Sequence, residues 1–174
     1  NELKEKVQAE LGNEYVVELA MRYQKPSIES VLERMRKENY KKIVVIPLYP
    51  QYASSSTGST LELVLKTISD WYVIPELKVV SQFFDNEGYI NAFVERGKQY
   101  NPEEYEHVIF SFHGLPVRQV DKVYDDRKPC SDHDCENEIT DDNYWCYKAS
   151  SFATAKAVAE KLNIPREKYT VSFQ

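Results

Sequence analysis

Four side chains carry most of the chemical capacity in this sequence: His113 and the cysteines Cys130, Cys135 and Cys146. His113 sits in Ser111-Phe112-His113-Gly114-Leu115-Pro116, directly after the apolar run His107–Phe112. A histidine at the end of a buried strand, followed at once by Gly and Pro, is held on a rigid element. Imidazole titrates near neutral pH, so it can take a proton or bind a divalent metal. A purely structural histidine is the plainer alternative. The cysteines follow the pattern Cys130-x2-His133-x-Cys135-x10-Cys146. Three thiols and one imidazole suit a Cys3His zinc site or part of an iron–sulfur cluster. The spacing follows no standard zinc pattern. Free thiols of a cytosolic protein, where disulfides are rare, are the alternative, and an odd count fits a disulfide framework poorly.

Two further segments are rich in donors. Arg22-Tyr23-Gln24-Lys25-Pro26 follows the apolar stretch Tyr15–Met21. Arg22 offers a permanent charge and a forked donor set suited to a carboxylate, with a surface ion pair as the alternative. Tyr49–Thr60 reads YPQYASSSTGST and leads into a helical pattern. Hydroxyls, a glycine and a helix N-terminus favour an anion, although without a lysine or P-loop spacing a nucleotide site is not expected. A helix-capping loop is the alternative.

The elements that position these residues alternate. Tyr15–Met21, Lys42–Leu48, Leu77–Ser81, His107–Phe112 and Tyr169–Phe173 read as strands. Ser27–Asn39, Ser59–Trp71, Glu87–Tyr100 and Tyr147–Leu162 read as helices, the first capped by Ser27 with Ser30 nearby. Lys42–Leu48 is apolar throughout, as expected of a strand buried on both faces. Alternation of this kind predicts an α/β fold with a parallel sheet. Ligands in such sheets bind beyond the carboxyl ends of strands, which singles out the loops after Met21, Leu48 and Phe112.

Composition excludes several classes. The 174 residues are 42% hydrophobic and 29% charged, a globular balance. A net charge of −6 argues against nucleic acid as the main partner. There is no run of eighteen apolar residues and no signal peptide, so no membrane span is expected. The charge is uneven. Asp121–Asn143 holds nine acids against three bases, which accounts for the whole excess and leaves the remainder neutral. An acidic, Cys-bearing insertion on a neutral body is expected, and charge runs are usually solvated surface. The opening residues read as a helix under way, which suggests a piece of something longer.

Together, Arg22-Tyr23 after a strand, the loop Tyr49 to Ser59, Ser111 to Pro116 and the closing Val171-Ser172-Phe173-Gln174 resemble the ferrochelatase family. Order and spacing agree along essentially the whole chain. The resemblance implies a three-layer parallel sheet of the chelatase type, two similar Rossmann-like domains with porphyrin in the cleft between them. Residues 1–75 would be the C-terminal part of the first domain. Residues 76–174 would be the N-terminal part of the second, with the insertion at 121–146. The implied reaction is insertion of Fe2+ into a porphyrin, protoporphyrin IX or coproporphyrin III, in haem synthesis. His113 matches the active-site histidine, assigned either to accept the pyrrole protons or to ligate the incoming metal. Arg22, Tyr23, Tyr52 and Thr60 fall at substrate-binding positions. Porphyrin and ferrous iron are the implied partners, nucleic acid is not, and the cytoplasm is the implied compartment, with peripheral membrane contact and oligomeric state left open.

The departures bear on function. A second active-site residue of the family, a Glu beyond the Val-Ser-Phe-Gln strand, has no counterpart, so the 174-residue chain alone is not expected to insert metal. Some members hold a [2Fe–2S] cluster. Where one ligand lies in the Tyr-Pro-Gln-Tyr loop, the matching residue is Ser54. Other members place cysteines after His-Gly-Leu-Pro, where Cys130, Cys135 and Cys146 fall, but they have four or more, and Ser151 stands near the place of a fourth. A remnant or vacant cluster site is favoured over a full cluster, and whether Cys130, Cys135 and Cys146 hold a vestigial cluster, zinc or nothing is left open. The alternatives are a cobalt or nickel chelatase of a sirohydrochlorin-type ring, which would want more histidine, and a non-catalytic tetrapyrrole- or metal-binding module.

Overall fold

The structure is a computed structural model that describes residues 2–174. The chain forms two compact units, Asn1–Pro47 with Gly58–Val80, and Leu48–Thr57 with Ser81–Gln174.

The first unit contains helices α1 (Glu2–Leu11), α2 (Ile28–Lys37) and α3 (Ser59–Ser69) and strands β1 (Lys42–Val45) and β2 (Glu76–Val79). Helix α2 starts where the sequence predicts. The Ser27 hydroxyl oxygen accepts from the Ser30 amide at 3.2 Å, and Arg34, Arg36 and Lys37 fill the last turn, where cations meet the negative helix end. It closes at Asn39, which takes the left-handed conformation (φ 57°) common after a helix C-terminus. Strands β1 and β2 pair in parallel, with Ile43 opposite Leu77. Ile28 and Leu32 of α2 and Val64 and Ile68 of α3 pack together with Val45 and Leu77 in one core.

Two sequence expectations fail in this unit. The apolar run Lys42–Leu48 is strand only as far as Val45, and it is not buried on both faces: Val44 is 41% exposed and Ile46 54%. The helices cover the side that carries Val45 and Leu77, so the alternate residues Lys42, Val44, Glu76 and Lys78 face outward. Lys42 and Glu76, opposite each other in register, make a 2.7 Å ion pair there. Tyr15–Met21 is not a strand. Among the described residues its one ladder contact is the isolated bridge from Met21 to Ser27, beside the Met21 amide bond to the Pro26 carbonyl at 2.8 Å. A strand exists only by pairing, and β1 and β2 pair with each other. The segment's polar groups are met by a side chain instead: Gln8 of α1 donates Nε2 to the Gly12 and Tyr15 carbonyls and accepts from the Val17 amide at 2.8 Å.

The second unit contains α4 (Glu87–Lys98), β3 (Val108–Phe112), the single turn α5 (Val117–Val120), α6 (Tyr147–Lys161) and β4 (Tyr169–Phe173). Asn86 caps α4 through the Tyr89 amide at 3.2 Å. Strands β3 and β4 pair in parallel from Val108–Tyr169 to Phe112–Phe173. Ile90, Val94 and Val158 pack on Phe110, and Ala159, Ile164 and Tyr169 pack on Val108, Phe110 and Val171. Gly97 permits the approach of Leu162, whose Cδ1 would lie 2.7 Å from a Cβ at that position. The α/β reading with parallel pairing therefore holds, as two two-stranded ladders.

The Tyr49–Gly58 loop is more ordered than its serine content suggests. Ser54–Gly58 forms one π-helical turn, and Gln51 is buried. Gln51 donates Nε2 to Thr154 Oγ1 at 2.9 Å and pairs with the Tyr89 hydroxyl, while the Pro50 carbonyl accepts from the Phe83 amide at 2.9 Å. Thr154 Oγ1 in turn lies 2.9 Å from the Phe84 carbonyl oxygen. Thr154→Val keeps the side-chain shape but strips Gln51 and Phe84 of their buried partner. It should destabilise the second unit by about 1–3 kcal/mol, the cost of orphaned polar groups. Urea unfolding read by Trp145 fluorescence in a Trp71→Phe background checks this, and an unchanged midpoint would contradict it.

Candidate active site and cysteine pocket

His113 follows the last residue of β3 and is exposed. Along β3, Val108, Phe110 and Phe112 are half-buried, whereas Ile109 and Ser111 are exposed. The period of two carries His113 onto the same open face as Ser111. The imidazole is thus presented by a strand whose other face is fixed in the core through Phe110.

What holds the histidine is the backbone opposite, just past β4. Past the last strand pair, the Gln174 amide donates to the Phe112 carbonyl at 3.1 Å, and the Gly114 amide donates to the Gln174 carbonyl at 2.6 Å. These two bonds bracket His113 from both sides. The Gln174 side chain adds a third tie, donating Nε2 to Ser111 Oγ at 2.6 Å. Gly114 has a steric reason to be glycine: a Cβ there would lie 3.3 Å from both the carbonyl carbon and oxygen of Gln174. Phe173, still partly open to solvent, contacts the rings of Phe112, Tyr147 and Phe152 at centroid distances of 6.0, 6.2 and 6.1 Å. Burial pushes the Tyr147 phenol upward in pKa, and the backbone of His113 adjoins its hydroxyl. Sequence reasoning takes Gly114 only as the residue that stops the strand after His113 and Gln174 only as part of a motif, and attaches no role to Tyr147. The adjacency of Gly114 to His113 was the available signal for the first. The other two depend on pairing between strands far apart in sequence.

Arg22, Tyr23 and Thr60 belong to the first unit, Tyr52 and His113 to the second. Among the described residues Arg22 pairs with no carboxylate. Its Nε–H is shared between Ser59 Oγ at 3.1 Å and the Ser59 carbonyl at 3.3 Å, on the first turn of α3 beside half-buried Thr60. Its guanidinium carbon lies 4.7 Å from the centroid of the largely exposed Tyr23 ring, a cation–π contact. The remaining guanidinium donors are available for an anionic ligand. Tyr52 meets Trp145 edge-on at 5.4 Å, and Trp145 meets Tyr144 at 5.1 Å. The Tyr-Pro-Gln-Tyr loop thereby reaches the residue preceding Cys146.

Cys130, Cys135 and Cys146 come together, as free thiols, with their sulfurs all within 4.8 Å of one another. They form a small core with Tyr124 and Ala149, walled by Val120, Val123 and Ile139. His133 stands outside this set. Its ring stacks on Tyr124 at 3.7 Å, and its Nε2 lies 3.4 Å from Asp126 Oδ1. The structure therefore builds a three-sulfur group and not a Cys3His quartet. The acids of the segment do not enter it: all but Asp121 are exposed, and Asp121 accepts from the Cys130 amide at 2.8 Å. The acidic run is a solvated face over a thiol core.

The three sulfurs differ electrostatically. Cys146 holds the N-cap position of the fifteen-residue helix α6. Its thiol is drawn down to about 5, first by the Cys135 thiol that donates to it, then by the Tyr124 hydroxyl and the amides of Ala149 and Lys148, against an opposing effect of burial. Cys135 is pushed up by that same bond and by burial, and Cys130 is pushed up mainly by burial.

Two outcomes follow from this geometry. In metal-free, reduced protein, one thiolate should persist below neutral pH and disappear as pH falls through about 5. Ultraviolet thiolate absorbance of wild type minus Cys146→Ser measures it, and a midpoint near that of an ordinary thiol would refute it. Gly114→Ala should force the Gln174 backbone away and strip hydrogen-exchange protection from the Gly114 and Gln174 amides by about tenfold or more, the change expected for losing a bond worth about 1 kcal/mol or above. Unchanged protection would show that the clasp tolerates a side chain.

Comparison with known proteins places the chain. A family model described as ferrochelatase matches residues 1–174. The ferrochelatase of Pseudomonas entomophila (strain L48) is 36% identical over 164 residues, covering 91% of this chain and 48% of that protein. That of Pseudomonas putida (strain W619) gives the same figures, and that of Pseudomonas fluorescens (strain SBW25) is 36% identical over 160 residues, covering 91% and 47%. The chain spans about half the length of the curated relatives it matches. No helix among the described residues is long and apolar enough to cross a membrane. With the family model matching from the first residue to the last, the chain belongs to the ferrochelatase family.

Proposed function

We propose that the protein of which this chain forms part inserts Fe2+, as substrate, into a porphyrin, protoporphyrin IX or coproporphyrin III. The observation that carries the reading is the mounting of His113, an exposed imidazole bracketed by two backbone bonds at the carboxyl end of a parallel strand, in a chain of this family. Metal insertion expels two pyrrole N–H protons, so a base must stand beside the macrocycle. A neutral imidazole can take such a proton, or hold the entering ion through the same nitrogen lone pair. Clamping its backbone at Phe112 and Gly114 keeps that nitrogen at a set distance from a ring bound above the open sheet face.

The remaining residues suit the substrate. A flat apolar ring with carboxylate arms wants aromatic surface and a few cations and hydroxyls. Tyr23 and Tyr52 offer the first, and Arg22, with Ser59 and Thr60, offers the second. The Arg22 guanidinium is oriented by Ser59 and the Tyr23 ring, which leaves it directed without being neutralised. We place the enzyme in the cytoplasm, in keeping with three reduced, buried thiols.

A [2Fe–2S] cluster fits this chain poorly. Such clusters take four thiolates, and residues 1–174 supply three. Ser151, near the place of a fourth, is fully buried and donates its hydroxyl to the Tyr147 carbonyl at 2.8 Å. The segment by itself does not complete the ligand set of such a cluster.

His113→Ala in the full-length protein should lower iron-insertion turnover by about a hundredfold or more, the usual scale for loss of a general base, while porphyrin binding persists. Stopped turnover assays with Soret-band titration separate the two quantities. Unchanged turnover would remove His113 from the chemistry, and joint loss of binding would make it a substrate contact only.

A further inference from the structure

The misfit to a two-iron cluster points to a different occupant. We propose that Cys130, Cys135 and Cys146 form a three-thiolate site for a single thiophilic divalent ion of the zinc class. A two-iron cluster sets two thiolates at each of its opposite ends. Three sulfurs that are all mutual neighbours within 4.8 Å instead surround one point. Zinc–sulfur bonds of about 2.3 Å place ligand sulfurs about 3.8 Å apart in tetrahedral geometry and about 4.0 Å apart in trigonal geometry. Cys130 and Cys135 already stand 3.7 Å apart, with Cys146 within reach of both.

The surroundings suit a bound ion. The three cysteines are 5%, 1% and 0% exposed, so the site is dry and the acids of the segment stay in solvent. Tyr124 lines the same site. It is 6% exposed, and its hydroxyl meets no oxygen or nitrogen partner and faces the Cys146 sulfur. A metal-bound thiolate stays ionised and is a stronger acceptor for that phenol than a thiol. Three thiolates around a divalent ion leave one negative charge. The head of α6, where Cys146 holds the N-cap position, offsets it. Binding displaces the thiol protons to solvent and changes no oxidation state. Its structural effect is to fasten a segment of short turns, 121–146, to the start of α6, as small metal sites do where apolar core is scarce. The proposal concerns a site apart from His113, so its failure leaves the reading of the active site untouched.

The test is metal binding by the reduced, chelator-stripped full-length protein. With Zn2+ and with Cd2+ as a spectroscopic probe, one ion per chain should survive desalting, and cadmium–thiolate ultraviolet absorption should saturate at one equivalent. Cys146→Ser should weaken binding at least a hundredfold. Tyr124→Phe, which keeps the ring stacked on His133, should weaken it about tenfold with stoichiometry intact. If Cys146→Ser does not fold, the wild-type stoichiometry and Tyr124→Phe still decide. Retention of no ion would overturn the proposal, as would two irons with visible cluster bands in anaerobically prepared protein.

Discussion

The backbone hydrogen bonds at the end of the β3–β4 ladder are what the candidate active site depends on. A parallel pair gives each strand end a partner that comes from far away in sequence, here about sixty residues. Gln174 closes the pairing by bonding to Phe112 on one side of His113 and to Gly114 on the other. The histidine cannot shift along the strand without breaking one of these bonds, and it cannot flip to the core face without a slip of register that would expose Phe110 and Phe112. The absence of a side chain at Gly114 is what lets the two backbones approach this closely.

The same logic of remote partners organises the rest of the second unit. Gln51 is anchored by Tyr89 and Thr154, residues of two different helices, so a loop of hydroxyls and small side chains takes one conformation. Tyr52 follows directly and contacts Trp145, which leads into the N-terminus of α6. The cysteine segment is built in layers: sulfurs and Tyr124 inside, carboxylates outside. Its apolar content is small for its length, which is why the chemistry of the thiols bears on its stability as well as on any ligand.

Local physics was legible in the residues. Ser27 and Asn86 cap helices as their types require, and the 3.6-residue spacing of Ile28, Val31, Leu32 and Met35 put a single face of α2 in the core. Tyr15–Met21 shows the limit. Its β-branched, apolar pattern is that of a strand, but extended backbone becomes a strand only when another strand offers donors and acceptors, and Gln8 supplies them here. Lys42–Leu48 shows a second limit. Apolar runs report what could be buried, whereas the helices α2 and α3 decide which face is.

For function, the sequence by itself determined which groups exist: one imidazole after a strand, one arginine–tyrosine pair, three cysteines and the run of acids around them. Residue type and local spacing are enough for that, and for the resemblance that named the family. Only the tertiary structure decided that the three sulfurs converge while His133 turns aside to stack on Tyr124, and that the acids face water. Only it decided that Gln174 brackets His113. Convergence depends on the path of the chain between the ligands, and that path is set by pairing and packing among residues distant in sequence, which no local pattern encodes.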